Sequence, residues 1–279
     1  MPTRFLALLL LLGLMNTSPA AEQPPRPATP EEALLFKEAL KNTQQDTEHW
    51  AYTETTTLKS SKGKVREETV VRFDPSQPWP EQYTPLKIKG KAPTARQLKK
   101  YRERGEKRGV KLTRDAARAA EIAADPTMPG KPATPAKEKG TKVTLNLEQP
   151  RVLGEESDRV IFDVPLVANS KDIPVDKLEV RVVVSKPTRQ VQHATLRLRE
   201  SFRLKLVARI KAGEASADFA VVDPKFGPVM TSATGSFGAT LAFIPVSGIF
   251  TNTRTEWQRV KPYNDRLRVK LGPLEVLDF

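Results

Sequence analysis

Between residues 191 and 211, apolar and polar side chains alternate almost without a break. Leu196 and Leu198, for example, alternate with Arg197 and Arg199. Because successive side chains of a β-strand point to opposite faces of the sheet, this period of two gives one apolar face and one largely cationic face. The pattern predicts a half-buried antiparallel sheet, with its apolar face packed inside and its charged face in water.

The composition narrows the chemistry that is open to this chain. It has 279 residues and a formal net charge of +13, and 28% of its residues are charged, which argues against a membrane-spanning protein. It contains no cysteine, so disulfides, thiolate nucleophiles and thiolate metal ligands are excluded. A β-rich chain of this length can form a single domain.

The first 20 residues have the three parts of a secretory signal peptide. Arg4 supplies the positive charge, residues 5–15 form the apolar run, and residues 18–20 make a small-residue cleavage site that ends at Ala20. A transmembrane helix needs about 20 apolar residues, and this run is nearer half that length. We therefore expect cleavage and export. A basic, cysteine-free exported protein fits the bacterial periplasm.

The mature chain begins with a Pro-rich lead-in at residues 21–29, which is predicted to be flexible. Thr29 and Glu32 then have the spacing of a capping box, and Pro30 suits the first helical position. These residues predict an amphipathic helix that ends near Asp46.

Most of the remaining chain is predicted to be β-structure. Three strands are expected between residues 50 and 88, the last of them around Leu86. The later strand candidates are residues 142–148, 158–168, 178–186, 191–199, 202–211, 216–223, 229–243, 250–260 and 266–271. Turn signals such as Ala212-Gly213 separate them, so we expect an antiparallel meander that curls around one core.

The segment from residue 91 to residue 140 interrupts this pattern. A capping box at Thr94 predicts a helix that Gly109 ends, and a second helix is predicted over residues 113–124. Residues 126–140 are rich in Pro, Lys and Ala and predict a linker. The fold class expected over residues 30–279 is therefore a single α+β domain. It would be a curled antiparallel sheet, or half-barrel, with an N-terminal helix on its concave face and a helical flap.

Catalytic motifs are few. Neither His49 nor His193 has an acidic neighbour at a recognised ligand spacing. An S-x-x-K match begins at Ser61, but it falls on a predicted hairpin tip, whereas its chemistry needs a helix N-terminus. We therefore predict that the protein is not an enzyme and has no metal site and no cofactor. An enzyme would require a convergent polar cluster around one of the histidines.

The excess positive charge is concentrated between Lys87 and Lys142, where there are 17 Lys or Arg and 6 Asp or Glu residues. This segment is either a solvated insert or a surface for anionic lipid headgroups or an acidic partner. Near an anionic membrane each basic residue contributes about 1 kcal/mol. Export and the lack of interleaved aromatic residues disfavour nucleic acid. The candidate anionic-surface residues are Arg96, Lys99, Lys100, Arg102, Arg104, Lys107 and Arg108.

An apolar run over residues 241–250 contains Pro245 and Gly248 and is predicted to be a hairpin tip. Connections between strands are normally polar, so an apolar one needs an explanation. It is either a turn folded over the core or an apolar lip at a cavity mouth or a membrane.

The order of these elements resembles a known superfamily. A signal peptide and an amphipathic helix precede strands that carry WAYT from Trp50 and KGKVRE from Lys62, and a helical insert and a long antiparallel run follow. This order is similar to that of the periplasmic lipoprotein-carrier (LolA-like) half-barrel superfamily. The resemblance implies a curled sheet and a helical lid that enclose an apolar cavity for acyl chains. It assigns no individual functional residue, and the large basic insert departs from it.

We therefore expect a periplasmic, non-catalytic binder or carrier of an acylated ligand, either a lipid or an acylated protein. Each methylene group that such a cavity buries contributes about 0.8 kcal/mol. The alternative is an envelope regulatory or protein-interaction module on the same fold. The candidate cavity-wall positions, each of which could equally belong to the core, are Phe36, Leu40, Trp50, Tyr52, Phe73, Leu196, Leu198, Leu204, Leu206, Phe243 and Trp257.

Overall fold

The computed structural model describes residues 24–43, 47–124, 143–168, 174–204, 208–241 and 244–263. Side chains are described for all of these except residues 119–124, 204, 208 and 241. The predicted signal peptide, the predicted linker and the predicted strand at 266–271 lie outside the described residues. Within the described residues, no helix has both the length and the apolar character needed to cross a bilayer.

The described residues form two α-helices, α1 (Pro30–Asn42) and α2 (Ala95–Ala124), and short 3₁₀ turns at Thr47–His49 and Val175–Lys177. The strands are β1 (Arg26–Pro27), β2 (Trp50–Lys59), β3 (Val65–Phe73), β4 (Tyr83–Ile88), β5 (Val143–Leu145), β6 (Arg151–Glu155), β7 (Arg159–Asp163), β8 (Leu166–Ala168), β9 (Leu178–Ser185), β10 (Gln190–Leu198), β11 (Phe202–Leu204), β12 (Ala208–Ala220), β13 (Val229–Leu241) and β14 (Ile244–Arg259).

Twelve of these strands form one large antiparallel sheet that is not closed into a barrel. Its order is β1-β6-β7-β9-β10-β12-β13-β14-β2-β3-β4, with β11 paired to β12, and β5 and β8 form a separate two-stranded sheet. β14 pairs with β2, which joins the end of the meander to the first long strand of the sheet. The predicted α+β class with a large antiparallel sheet is confirmed.

At one end of the sheet, α1 closes the hydrophobic core. Phe36 and Ala39 are completely buried, and the Phe36 and Phe162 rings lie 5.0 Å apart between centroids. Such a core suits β-branched side chains, which pack well on a pleated surface. Its remaining buried members are all valines on or beside β6, β7, β9 and β10, namely Val152, Val160, Val164, Val180, Val182, Val184 and Val191.

The N-terminus of α1 forms as its capping box predicts. The Glu32 N–H donates to Thr29 Oγ1 over 3.3 Å, and the Thr29 N–H donates to the Glu32 carboxylate over 2.7 Å. Arg26 donates two further hydrogen bonds to that carboxylate. Because Arg26 and Pro27 also pair with β6, the described end of the predicted flexible lead-in belongs to the sheet.

The C-terminus of α1 lies at Asn42, earlier than the predicted end near Asp46. Thr43 takes an extended backbone conformation, and its hydroxyl donates to the Ala39 carbonyl oxygen over 2.7 Å. A threonine side chain that binds the last turn in this way competes with continuation of the helix.

One continuous helix, α2, replaces the two helices predicted in the basic insert. The predicted stop at Gly109 is wrong, because the helix continues through it. A Cβ atom on Gly109 would lie 2.4 Å from the Trp79 ring, and one on Gly105 would lie 2.2 Å from the Trp79 carbonyl oxygen. The two glycines therefore allow close approach of the helix to Trp79. The predicted capping box of Thr94 and Gln97 is present at the start of α2.

The predicted turn at Ala212 and Gly213 is also wrong. Both residues lie within β12, where the ladder with β13 shifts register between Ile210 and Ala212. A β-bulge of this kind adds one residue without ending the strand, and glycine often marks such a position.

The apolar run that begins at Leu241 includes the connection between β13 and β14, as predicted, but most of it lies in β14. β13 and β14 still pair at Leu241 and Ile244, so Pro245 and Gly248 lie inside β14. On the other side of β14, pairing with β2 begins only at Ile249. Pro245 is tolerated because a proline without an N–H fits where a strand has a free side.

Candidate ligand-binding surface

The face of the sheet on which α1 packs is predominantly apolar, and we call it the helix face. Directly paired residues of an antiparallel ladder point to the same face. Val180 pairs with Leu196, Leu196 with Ala215, Ala215 with Gly235, and Gly235 with Phe250. The alternation predicted around Leu196 thus extends across the sheet. The opposite face, the polar face, carries the intervening charged and hydroxyl side chains.

Six aromatic rings form a continuous row across the end of the sheet that β14, β2, β3 and β4 make up. Neighbouring ring centroids lie 4.6 to 6.1 Å apart, which is the range of favourable aromatic contacts. β4, β3, β2 and β14 supply five of the rings, and the loop after β12 supplies the sixth. In order, the members of this aromatic row are Tyr83, Phe73, Tyr52, Trp257, Trp50 and Phe226.

Trp257 joins the aromatic row because of a β-bulge in β14. Regular alternation would place it on the polar face together with Thr255. The ladder with β2 shifts register between Thr255 and Gln258, and Glu256 adopts a left-handed φ of 54°. The Glu256 carboxylate accepts a 2.5 Å hydrogen bond from the Thr53 hydroxyl, which holds the bulge. Bulges commonly re-aim a side chain in this way next to functional sites.

Three arginine side chains cover four rings of the row, because Arg259 also lies 5.2 Å from the Trp50 ring centroid. Guanidinium groups stack favourably on aromatic faces and replace part of the cover that a helix would supply. The distances from guanidinium carbon to ring centroid are 4.2 Å for Arg108 over Tyr83, 4.7 Å for Arg254 over Tyr52 and 3.9 Å for Arg259 over Phe226.

A cavity of about 410 Å³ opens beside the middle of the row, and we call it the aromatic pocket. This volume lies in the range of small-molecule sites. Burial raises the pKa of Tyr52 to about 12 and also raises the pKa of Tyr83. Both phenols are therefore neutral at physiological pH. The lining includes Tyr52, Phe73, Tyr83, Met230, Arg254 and Trp257.

Small side chains occupy the helix face between α1 and the aromatic row. The three alanines among them are partly exposed, and the larger Leu196 and Phe237 on the same face are 42% and 41% exposed. Met230 of the aromatic pocket pairs with Phe219, which places it on the same face of β13. The members of this small-residue strip are Ala215, Ala217, Ala233 and Gly235.

Three of the predicted cavity-wall residues, Tyr52, Phe73 and Trp257, line the aromatic pocket. Trp50 lies in the same row and is buried. Tyr83 belongs to the pocket as well, but it precedes the predicted strand around Leu86. Met230 and Arg254 also line the pocket, and neither is predicted from the sequence. No local pattern near either residue indicates a pocket.

The other predicted wall residues are dispersed. Phe36 and Leu40 belong to the valine core under α1 and not to a pocket wall. Leu196 flanks the small-residue strip, and Leu198 borders a separate, arginine-lined cavity. Leu206, Phe243 and the side chain of Leu204 lie outside the described residues.

Most of the predicted anionic-surface residues are exposed on α2. Arg108 is the exception, because it is partly buried and packs on Tyr83. Its role is to join α2 to the aromatic row. The six exposed cations are Arg96, Lys99, Lys100, Arg102, Arg104 and Lys107.

His193 has an acidic partner across the ladder, which its position in the sequence does not show. Its Nδ1 lies 2.7 Å from Asp218 Oδ1, its Nε2 lies 2.9 Å from Thr195 Oγ1, and Ser232 donates to Asp218 over 2.6 Å. The order of hydroxyl, imidazole and carboxylate resembles a nucleophile relay. These residues lie on adjacent strands, His193 and Thr195 on β10 and Asp218 on β12. His49 lies in the 3₁₀ turn before β2.

No protein-family model, curated protein or solved structure matches this chain. Among the described residues, no group of three or more His, Cys, Asp or Glu side chains is arranged to hold a metal ion. The fold and the site define a protein with an open antiparallel sheet that carries an aromatic pocket on its helix face. What the pocket binds must be inferred from its chemistry.

Proposed function

We propose that the protein is a non-catalytic periplasmic binder or carrier of an acylated ligand, either a lipid or an acylated protein. The observation that supports this is the continuity of the aromatic pocket with the small-residue strip on one face of the sheet. An acyl chain binds through apolar contact alone, at about 0.8 kcal/mol per buried methylene. The predicted signal peptide supports the location.

In this proposal the acyl chain enters beside Tyr52 and Trp257 and lies along the small-residue strip toward α1. Ala233 and Ala217 leave space for it where larger side chains would fill the groove. We also propose that the sheet curls toward the helix face, as in a half-barrel. The register shifts in the ladders of β12 with β13 and β14 with β2 support this curvature, because bulges bend strands and increase their twist.

The exposed cations of α2 give this binder a means of approaching an anionic membrane. About 1 kcal/mol per basic residue is available near such a surface. We expect the protein to float with vesicles that contain anionic phospholipid and not with zwitterionic ones. Binding should weaken as salt is added and when Lys99 and Lys100 are both changed to Glu. The matched control is the same double charge reversal at Lys62 and Lys64, in the turn between β2 and β3.

Acyl binding can be tested by quenching of tryptophan fluorescence with a brominated fatty acid. Trp257 and Trp50 lie in the aromatic row, so a bound chain should quench them saturably. Ala233→Phe fills the strip and should weaken binding roughly tenfold or more, since several methylenes lose their contacts. Thr234→Phe, one residue away on the polar face, is the matched control and should bind like the wild type.

Saturable quenching that Ala233→Phe leaves unchanged would contradict the proposed groove, and absence of quenching would refute acyl binding. Native mass spectrometry of protein isolated from the periplasm provides an independent result. A stoichiometric protein partner without lipid would replace the carrier with the regulatory or interaction module.

A further inference from the structure

A second cavity, of about 580 Å³, lies against the polar face at the α1 end of the sheet. Glu179 and Arg197 pair directly across β9 and β10, opposite in face to the Val180–Leu196 pair. Arg181 and Arg199 lie two residues from them along the same chain segments, and all four residues line the cavity. We call this the arginine cavity.

The centre of the arginine cavity is a buried carboxylate that fixes the guanidinium groups. Glu179 is 3% exposed. Its Oε1 accepts from Arg181 Nε over 2.7 Å, and its Oε2 accepts from Arg197 Nε and Nη2 over 3.1 and 2.8 Å. Burial alone would raise the pKa of Glu179, but the hydrogen bonds and charges of Arg181 and Arg197 outweigh it and hold that pKa below its ordinary value. The carboxylate is therefore ionised at neutral pH, and the two arginines are pre-positioned.

Arg199 is the guanidinium with the most remaining binding capacity. Its Nη2 lies 3.6 Å from Glu179 Oε1 and 3.7 Å from Asp163 Oδ1, which is longer than a hydrogen bond. Its side chain makes no hydrogen bond to any described residue and is 39% exposed, so an anion can reach it. Asp163 is already paired with Arg151. Three guanidinium groups and one carboxylate thus line the cavity, and Arg199 is the guanidinium among them that makes no side-chain hydrogen bond to a described residue.

We propose that the arginine cavity binds a dianionic phosphate group, either as free phosphate or as a phosphomonoester. The Arg199 guanidinium lies beside the buried carboxylates without a hydrogen bond to them, and its planar fork fits phosphate oxygens in a bidentate manner. Part of the cavity rim is apolar, with Pro24, Pro25, Leu153 and Leu198, and can contact the carbon portion of an ester. This site lies on the polar face, so it is independent of acyl binding in the aromatic pocket.

The competing explanation is that the arginines serve only to neutralise the two buried carboxylates. That role needs two positive charges, and Arg151, Arg181 and Arg197 already make hydrogen bonds to Asp163 and Glu179. Arg199 exceeds this requirement. Its loss should therefore impair anion binding much more than folding.

Isothermal titration calorimetry on the mature protein tests the site with inorganic phosphate, hexyl phosphate and hexanoate as probes. We expect hexyl phosphate to bind, Arg199→Gln to weaken it roughly tenfold or more, and Arg199→Lys to give an intermediate affinity because the charge remains without the fork. Arg203→Gln, an equal charge change on exposed β11, is the matched control. Affinity should rise with pH through about 6, where the second phosphate proton dissociates.

Comparison of the probes distinguishes free phosphate from a phosphomonoester as the ligand. Inorganic phosphate that binds as tightly as hexyl phosphate would identify free phosphate as the ligand, and tighter binding of the ester would identify a phosphomonoester. Hexanoate measures binding of the carbon chain alone, which the aromatic pocket can supply, and Arg199→Gln should leave it unchanged. Equal binding of hexyl phosphate by wild type and Arg199→Gln would overturn the proposal. Circular dichroism of each variant separates loss of the site from loss of the fold.

Discussion

The helix face of the sheet is covered differently at its two ends. Under α1, a completely buried Phe36 and a set of valines form a sealed core. At the other end, aromatic rings are covered in part by arginine side chains, and a pocket of about 410 Å³ remains. A helix excludes water from the whole width of the strands that it crosses, whereas a single arginine side chain covers one or two rings. The comparison shows that one end is a sealed core, whereas the other retains an open pocket.

The largest predicted effect contrasts one phenylalanine from each end. Phe36→Ala removes a completely buried ring and should lower the free energy of unfolding by about 3–5 kcal/mol. Phe73 is only partly buried, so Phe73→Ala should cost roughly half as much, since the loss scales with the apolar area buried. Urea denaturation of both variants measures the difference. Equal losses would mean that the aromatic row is an ordinary core, and would weaken the case for a binding site there.

The second prediction concerns the contact that holds α2 against the aromatic end. Alanine is favoured over glycine in a helix by roughly 1 kcal/mol, so Gly105→Ala would stabilise a helix that has no neighbour. Here the new Cβ would lie 2.2 Å from the Trp79 carbonyl oxygen, and overpacking of this kind costs about 1–3 kcal/mol. We therefore expect faster hydrogen exchange in α2 and unchanged exchange in β7 and β9. Lys107→Ala on the exposed side of α2 is the control, and slower exchange in Gly105→Ala would contradict the close contact.

How much of each end can be predicted from the sequence depends on how far apart in the sequence the contacting residues lie. The capping box at Thr29 and the alternation around Leu196 are local patterns. The capping box and the antiparallel strand are confirmed, but the apolar face is not packed inside at Leu196, which is 42% exposed. Gly109 was misinterpreted because a glycine that stops a helix and a glycine that admits Trp79 look the same in sequence. The distinction depends on a tertiary contact with a residue 30 positions away in the chain.

The aromatic pocket was predicted only in part for the same physical reason. Tyr52 and Phe73 follow from strand alternation, because each shares a face with its apolar neighbours. Trp257 is also a correct candidate, although the bulge at Glu256 reverses the alternation before it and strict periodicity would assign its side chain to the polar face. Tyr83, Met230 and Arg254 were missed. The arginine cavity was missed because Glu179 and Arg199 are separated in sequence and meet only across paired strands.

Acid titration tests the end of the sheet that α1 covers. A hydrogen bond from Arg26 lowers the pKa of Glu32 from its ordinary 4.5 to about 2. A lowered pKa in the folded state means that the ionised carboxylate stabilises the protein above about pH 4.5 and that this contribution is lost as the pH falls toward 2. Glu32→Gln should cost roughly 1 kcal/mol at neutral pH, and its difference from wild type should shrink in acid. Glu31→Gln in the same helical turn is the control, and a constant difference would contradict the linkage.

Alkaline titration probes the aromatic end and gives the smallest effect at neutral pH. Burial raises the pKa of Tyr52 from 10 to about 12, so the folded protein holds this proton more tightly than the unfolded chain. The resulting stabilisation is complete below pH 10 and is lost as the pH rises toward 12. Tyr52→Phe should therefore leave stability at neutral pH unchanged within about 0.5 kcal/mol and should remove the last tyrosinate transition in ultraviolet absorbance. Tyr101→Phe on α2 is the matched control. If Tyr52→Phe removed a transition near pH 10 instead of the last one, water would already reach Tyr52. The aromatic pocket would then offer an acyl chain no drier surface than the rest of the sheet.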